Sequence, residues 1–113
     1  MRLTLGTDDF GRMVCTAQHD GSEAVITASD AGGAVEALSK AVEALAESGL
    51  SECYWPAETG DYRWVFRRVG DLVRIAILWS TGTLTGWEHA FWAECDRDDF
   101  LQQAREQLSA VSI

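Results

Sequence analysis

The side chains best suited to nucleophilic and general-base chemistry near neutral pH are few. They are His19 and His89, with Cys15, Cys53 and Cys95. A Cys–His pair would give a thiolate nucleophile and an imidazole to take its proton. Cys95 follows His89 by six residues, so in an extended strand the two face the same way but lie ~20 Å apart. Cys15 and His19 suffer the same separation, ~13 Å if extended. Both distances defeat direct proton transfer. Glu88 and Glu94 offer oxygen ligands, but without a clustered histidine they do not compose a metal site. Glu88-His89 lacks the second histidine of H-E-x-x-H, and no Gly-rich phosphate loop is present. The expectation is a protein with no catalytic residue, no metal and no cofactor. His19 falls in a turn and is expected to be exposed. His89 shares a strand face with Trp87 and Phe91 and is expected in the core.

Residues suited to recognition are more plentiful. The 113-residue chain carries 18 acidic and 9 basic side chains, a formal charge of −9. Residues 1–61 are net −8, residues 62–79 net +3 and residues 80–113 net −4. The acids Asp20, Glu23, Glu36, Glu43, Glu47, Glu52, Glu58 and Asp61 form a candidate surface for a basic protein partner. Such a charge disfavours direct binding to nucleic-acid phosphates. Of the five tryptophans, Trp64, Trp79 and Trp87 are expected on an inner sheet face. Tyr54 and Trp55 stand beside Pro56 among acids and are expected to be exposed anchors for a partner.

The elements that must position these groups follow from periodicity. Leu3 and Leu5 alternate with polar neighbours and predict a short strand. Met13, Cys15 and Ala17 predict a second, and residues 23–28 a third, with Asp20-Gly21 favouring a tight hairpin between them. Ser29-Asp30 is placed to cap a helix whose stripe is Val35, Leu38, Val42 and Leu45, with Glu36, Lys40, Glu43 and Glu47 opposite. Gly49 suits its left-handed end. Residues 51–61, with the one proline, read as a loop. Tyr62, Trp64 and Phe66 alternate with Arg63, Val65 and Arg67, and Gly70-Asp71 fits a two-residue hairpin into the apolar run 72–79. A flexible loop over 80–86 leads to a strand over 87–95. Asp96 then caps a final helix striped by Phe100, Leu101, Ala104, Leu108 and Val111. The predicted fold is one α+β domain over residues 1–113. Its order is β-β-β-α-β-β-β-α, with one antiparallel sheet of about six strands and two helices on one face.

The Gly70-Asp71 turn fixes a register. It sets Val69 opposite Leu72, Arg67 opposite Arg74, Phe66 opposite Ile75, Trp64 opposite Ile77 and Tyr62 opposite Trp79. Arg67 and Arg74 are like charges face to face, so an acid or ring is expected beside them. Setting Trp79 opposite Trp87 would place Trp92 on Arg74 for a cation–π contact. Arg63, Arg67, Arg74 and Trp92 thus form an alternative binding face, for a small ligand or as an accessory subunit, with a pocket expected beneath the 80–86 loop.

Three well-separated cysteines with no C-x-x-C spacing predict reduced thiols. The first residues lack the apolar core of a secretory signal, and no run is long and apolar enough to span a bilayer. The last residues carry no lipidation signal. A cytoplasmic protein is expected. Eight of the nine bases are arginine, which suits a GC-rich bacterial or phage genome. In size, acidity and lack of a catalytic motif the chain is similar to small inhibitors such as toxin-immunity and anti-CRISPR proteins. That resemblance implies a protein-binding inhibitor that blocks a basic surface, such as that of a nuclease toxin or a nucleic-acid-binding complex.

Overall fold

The computed structural model describes residues 1–82 and 86–111. Residues 83–85 of the expected 80–86 loop, and any pocket beneath them, lie outside the described residues, as do Ser112 and Ile113 of the C-terminal segment. The elements are β1 (Arg2–Thr7), β2 (Met13–His19), β3 (Ser22–Ala28), α1 (Ala31–Ser48), β4 (Leu50–Pro56), β5 (Asp61–Val69), β6 (Leu72–Ser80), β7 (Glu88–Asp96) and α2 (Arg97–Val111).

The α+β class holds, but the expected single sheet of six strands does not. The strands form two antiparallel sheets, β1-β2-β3 and β4-β5-β6-β7. The additional strand is β4, which replaces most of the loop expected over 51–61. Cys53 and Trp55 are buried while Glu52 and Tyr54 are exposed, the period-2 pattern of a strand with one covered face. Pro56 is tolerated because it is the last residue of an edge strand.

Turn chemistry sets both tight hairpins. Asp20 and Gly21 have φ of 47° and 81°, as a type I′ turn requires, and His19 pairs with Ser22. Gly70 has φ 61° and every β5–β6 pair follows the expected register, from Val69–Leu72 to Tyr62–Trp79. The β6–β7 register differs from expectation. Arg74 pairs with Glu94 and Ala76 with Trp92, and a bulge at Ile77/Leu78 leaves Ala90 unopposed. The acid sought beside Arg67 and Arg74 is therefore Glu94 itself, whose Oε2 accepts from Arg74 Nε at 2.7 Å. Trp79 meets Glu88, not Trp87.

Helix α1 ends as expected, with Gly49 at φ 79° and its N–H donating to Leu45 O. Asp30 holds the N-cap position without a side-chain cap bond. Asp96 does cap α2, accepting from the Asp99 N–H at 3.0 Å. Both helices and the inner faces of both sheets enclose one core cluster. Rings run through it from Trp55 to Trp64 (4.9 Å between centroids), to Phe66 (6.1 Å) and to Phe100 on α2 (5.7 Å). The Trp55 indole N–H donates to Ala34 O of α1 at 3.2 Å.

Strand β1 pairs only with β2, and α2 covers its other edge. Gln103 accepts from the Leu3 N–H and donates to Met1 O, while Gln107 accepts from the Leu5 N–H at 2.9 Å. Four helical residues rise ~6.0 Å and two strand residues span ~6.8 Å, so glutamines at i and i+4 match backbone donors at j and j+2. They stand in for a neighbouring strand.

Two substitutions test this architecture. Replacing Gln103 and Gln107 together by alanine should lower stability by about 1–3 kcal/mol and speed amide exchange at Leu3 and Leu5. Unchanged exchange there would show that water serves β1 equally well. Gly60→Ala should lower the urea midpoint strongly. Its Cβ would lie 2.2 Å from Ser80 O and 2.8 Å from the Trp79 ring, an overlap costing about 1–3 kcal/mol or more.

Candidate functional site

Two surfaces carry side chains in arrangements beyond what the fold requires. The first is the β1–β2 turn. Asp8 organises it: Oδ1 accepts from the N–H groups of Phe10 (2.9 Å) and Arg12 (3.0 Å), and its carbonyl accepts from Gly11 (3.2 Å). Asp8 N–H donates to Arg12 O, and Arg12 Nε donates to Asp8 Oδ2 at 2.7 Å. These donors hold the Asp8 carboxyl below its ordinary pKa, the Arg12 backbone N–H being the largest cause. The sign follows: this contribution is complete above the ordinary carboxylate range and fades as pH falls through the lowered value. Arg12 Nη1 reaches Glu58 Oε1 of the β4–β5 turn at 3.2 Å, and Ser29 N–H donates to Pro56 O. Two turns from different sheets are thus tied together around a shallow cleft lined by Phe10, Arg12, Ser29 and Glu58. At its rim Phe10 is 82% exposed, held beneath the Arg12 guanidinium (5.2 Å) and next to exposed Asp9.

The second surface is the face of β4–β7 turned away from the core. Register and alternation lay it out in rows. Leu50, Arg67, Arg74 and Glu94 form one. Glu52, Val65, Ala76 and Trp92 form the next, and Tyr54, Arg63 and Leu78 a third. Arg63 donates from Nε and Nη2 to Glu52 Oε2 at 2.9 and 2.6 Å and lies 6.0 Å from the Tyr54 ring. Trp92 is 51% exposed, Tyr54 47% and Trp87 42%. Trp87 precedes β7 yet packs on Tyr54 of β4 at 6.2 Å, so its indole crosses this face.

The expected acidic surface is dispersed by the fold. Glu36, Glu43 and Glu47 lie on α1, Asp20 and Glu23 at the β2–β3 hairpin, and Glu52 and Asp61 on β4 and β5. Most are engaged within the chain: Glu36 with Lys40 (2.9 Å), Glu43 with Arg105 (2.6 Å), Glu52 with Arg63, Glu58 with Arg12 and Glu23 with Gln18 (2.7 Å). Glu47 and Asp61 have no ion-pair partner among the described residues. Tyr54 is exposed as expected, but Trp55 is fully buried because β4 alternation turns it inward. Arg63, Arg67, Arg74 and Trp92 do share one face, with Trp92 beside Ala76 instead of Arg74. Asp9 and Phe10 are not among the residues that charge, composition or periodicity single out. The Asp-x-x-Gly spacing over 8–11 is the signal that an organised turn would display whatever lies between.

His89 is exposed, not in the core, because the bulge at Ala90 interrupts the alternation. The His19 ring is only 17% exposed, with Nε2 3.4 Å from Asp20 Oδ2. Cys95 lies at the opposite end of β7 from His89. All three cysteines are free. Burial pushes the Cys53 thiol up to about 12 and raises Cys15 and Cys95 as well. Among the described residues no group of three His, Cys, Asp or Glu side chains is placed to hold a metal ion. No described helix is long and apolar enough to cross a membrane. Comparison with protein-family models, with curated proteins and with solved structures returned no match.

A thiol-reactive chromophore should label one cysteine quickly in the native protein, half-buried Cys95, and all three after unfolding. Stability should also decline as pH rises above 9, because the unfolded chain loses thiol protons there that burial makes the folded chain keep. Cys53→Ala should flatten that alkaline decline; an unaltered pH profile would show that Cys53 does not contribute to it.

Proposed function

We propose that this chain is a small cytoplasmic inhibitor of the toxin-immunity or anti-CRISPR type, which docks on a basic, nucleic-acid-binding protein. The observation that carries this reading is the β1–β2 turn. A phenylalanine left 82% exposed in a turn closed by backbone and side-chain hydrogen bonds is an anchor whose ordering cost is met before binding. Asp8, Asp9 and Glu58 surround it with carboxylates, while Arg12 is committed to two of them. A basic groove that ordinarily holds phosphates would accept this combination, with the acids steering encounter and the ring adding residence time. The net charge of −9 supports the same choice of partner.

The Arg/Trp sheet face supports a second reading, a ligand-binding or accessory-subunit domain, because three aromatic rings stand half exposed there. Affinity capture with the tagged full chain separates the two. The inhibitor reading expects a captured protein of basic pI that is released by salt and by added RNA or DNA. Phe10→Ala should weaken it about 30-fold, a hot-spot loss of about 2 kcal/mol, and Asp9→Lys with Glu58→Lys should slow association. Capture that survives these changes but is lost in Arg74→Ala would overturn it in favour of the second reading.

A further inference from the structure

We infer that the outer face of β4–β7 is a self-complementary surface that pairs with a second copy of this chain. Arg63, Arg67 and Arg74 share the face with Glu52, Asp61, Glu94 and Asp96, so it is close to neutral within itself. The rest of the molecule then carries most of the formal charge of −9. Two copies that meet through this face therefore bring together no large excess of one sign. The face also gathers most of the exposed large apolar side chains: Leu50, Tyr54, Val69, Leu72, Trp87 and Trp92 lie on it or at its rim, with Phe10 and Val25 elsewhere.

On this face, where Asp96 is taken up in capping α2, Arg67 and Asp61 have no ion-pair partner among the described residues. Both are exposed on the outward side of β5, six residues and so ~20 Å apart. A two-fold interface requires that if position i meets j, then j meets i. Two β5 strands crossing antiparallel about an axis level with Trp64 satisfy this, setting Arg67 of each copy against Asp61 of the other. The contact would also bring a carboxylate to Arg67, which in the single chain faces Arg74 directly while Glu94 serves Arg74 alone. The strands β5 and β6 have nine residues each. Four such strands give a footprint of roughly 600 Å², somewhat below the ~800 Å² per partner of a standard interface. The dimer is therefore expected to be reversible. This inference does not use the β1–β2 turn and stands whether or not that turn binds a basic partner.

Sedimentation equilibrium on the full chain over a wide concentration range tests it, with circular dichroism to confirm folding. The wild type should show a monomer–dimer equilibrium. Asp61→Arg alone and Arg67→Asp alone should each weaken it about tenfold or more, since each makes both cross-pairs like-charged. An equimolar mixture of the two single variants should dimerise again, because one copy then carries two positive groups and the other two negative. The double variant carrying both changes should also recover. A wild type that stays monomeric at the highest soluble concentration would overturn the proposal and leave the face to a different protein. Single variants that dimerise normally, or a mixture that fails to, would also overturn it.

Discussion

The ring column Trp55–Trp64–Phe66–Phe100 is the interaction on which the other elements depend. It begins on the edge strand β4, crosses β5 and ends on the last helix, and the Trp55 indole N–H ties the same column to α1. Burying an indole of 150–250 Å² contributes about 4–6 kcal/mol. That is larger than the about 1–3 kcal/mol cost of a buried donor without a partner, which explains why the Trp64 indole N–H is tolerated unpaired among the described residues. The column also decides orientation. With Trp55, Trp64 and Phe66 turned inward, alternation forces Tyr54, Arg63, Val65 and Arg67 outward. The exposed face of the second sheet is thus a consequence of how its core is built.

The two sheets solve the problem of free edges differently. At β1 the helix supplies side-chain amides that accept and donate like a neighbouring strand. At the far end of the second sheet, β7 carries a bulge, a device that spoils the regular edge another strand would need. Neither device covers the faces of the second sheet. Both helices are spent on the inner side, where Phe100, Leu101, Leu38 and Leu45 enter the core, so nothing remains in the described chain to cover the outer one.

Much of this was readable from sequence, and the failures have definite causes. The β5–β6 hairpin was fully legible because Gly70-Asp71 leaves one register, and a single-residue slip would turn Trp64 and Phe66 to solvent. Helix α1 was legible from its stripe and from Gly49. Strand β4 was hidden because Pro56 reads as a breaker, although an edge strand ends on it without loss. Trp55 was then placed on the wrong side, since a loop carries no alternation to say where it points. The β7 register was out by two residues at Arg74, because neither the long loop nor the bulge at Ala90 has a sequence signature. An even shift preserves the side of the sheet, so Trp92 and Glu94 still joined Arg74 on one face. His89 and Trp87 lie beyond the bulge, where that protection ends.

The surface ion pairs gain meaning from position more than from strength. Solvent screens exposed pairs of this kind and leaves each little net stability, so neither Arg12–Glu58 nor Arg105–Glu43 can hold the fold together. Each, however, joins elements far apart in sequence: Arg12 links the β1–β2 turn to the β4–β5 turn, and Arg105 links α2 to α1. Arg12 has the further effect that the turn displaying Phe10 is braced against both sheets at once, by Asp8 within the first and Glu58 in the second. A turn braced only within its own sheet would follow any movement between the two. The same guanidinium lies over the Phe10 ring, so the residue that joins the sheets also fixes the direction of the exposed side chain. The acidity of the chain is therefore organised locally. Carboxylates that lock a base also shape a turn, and those left without a base define what can approach.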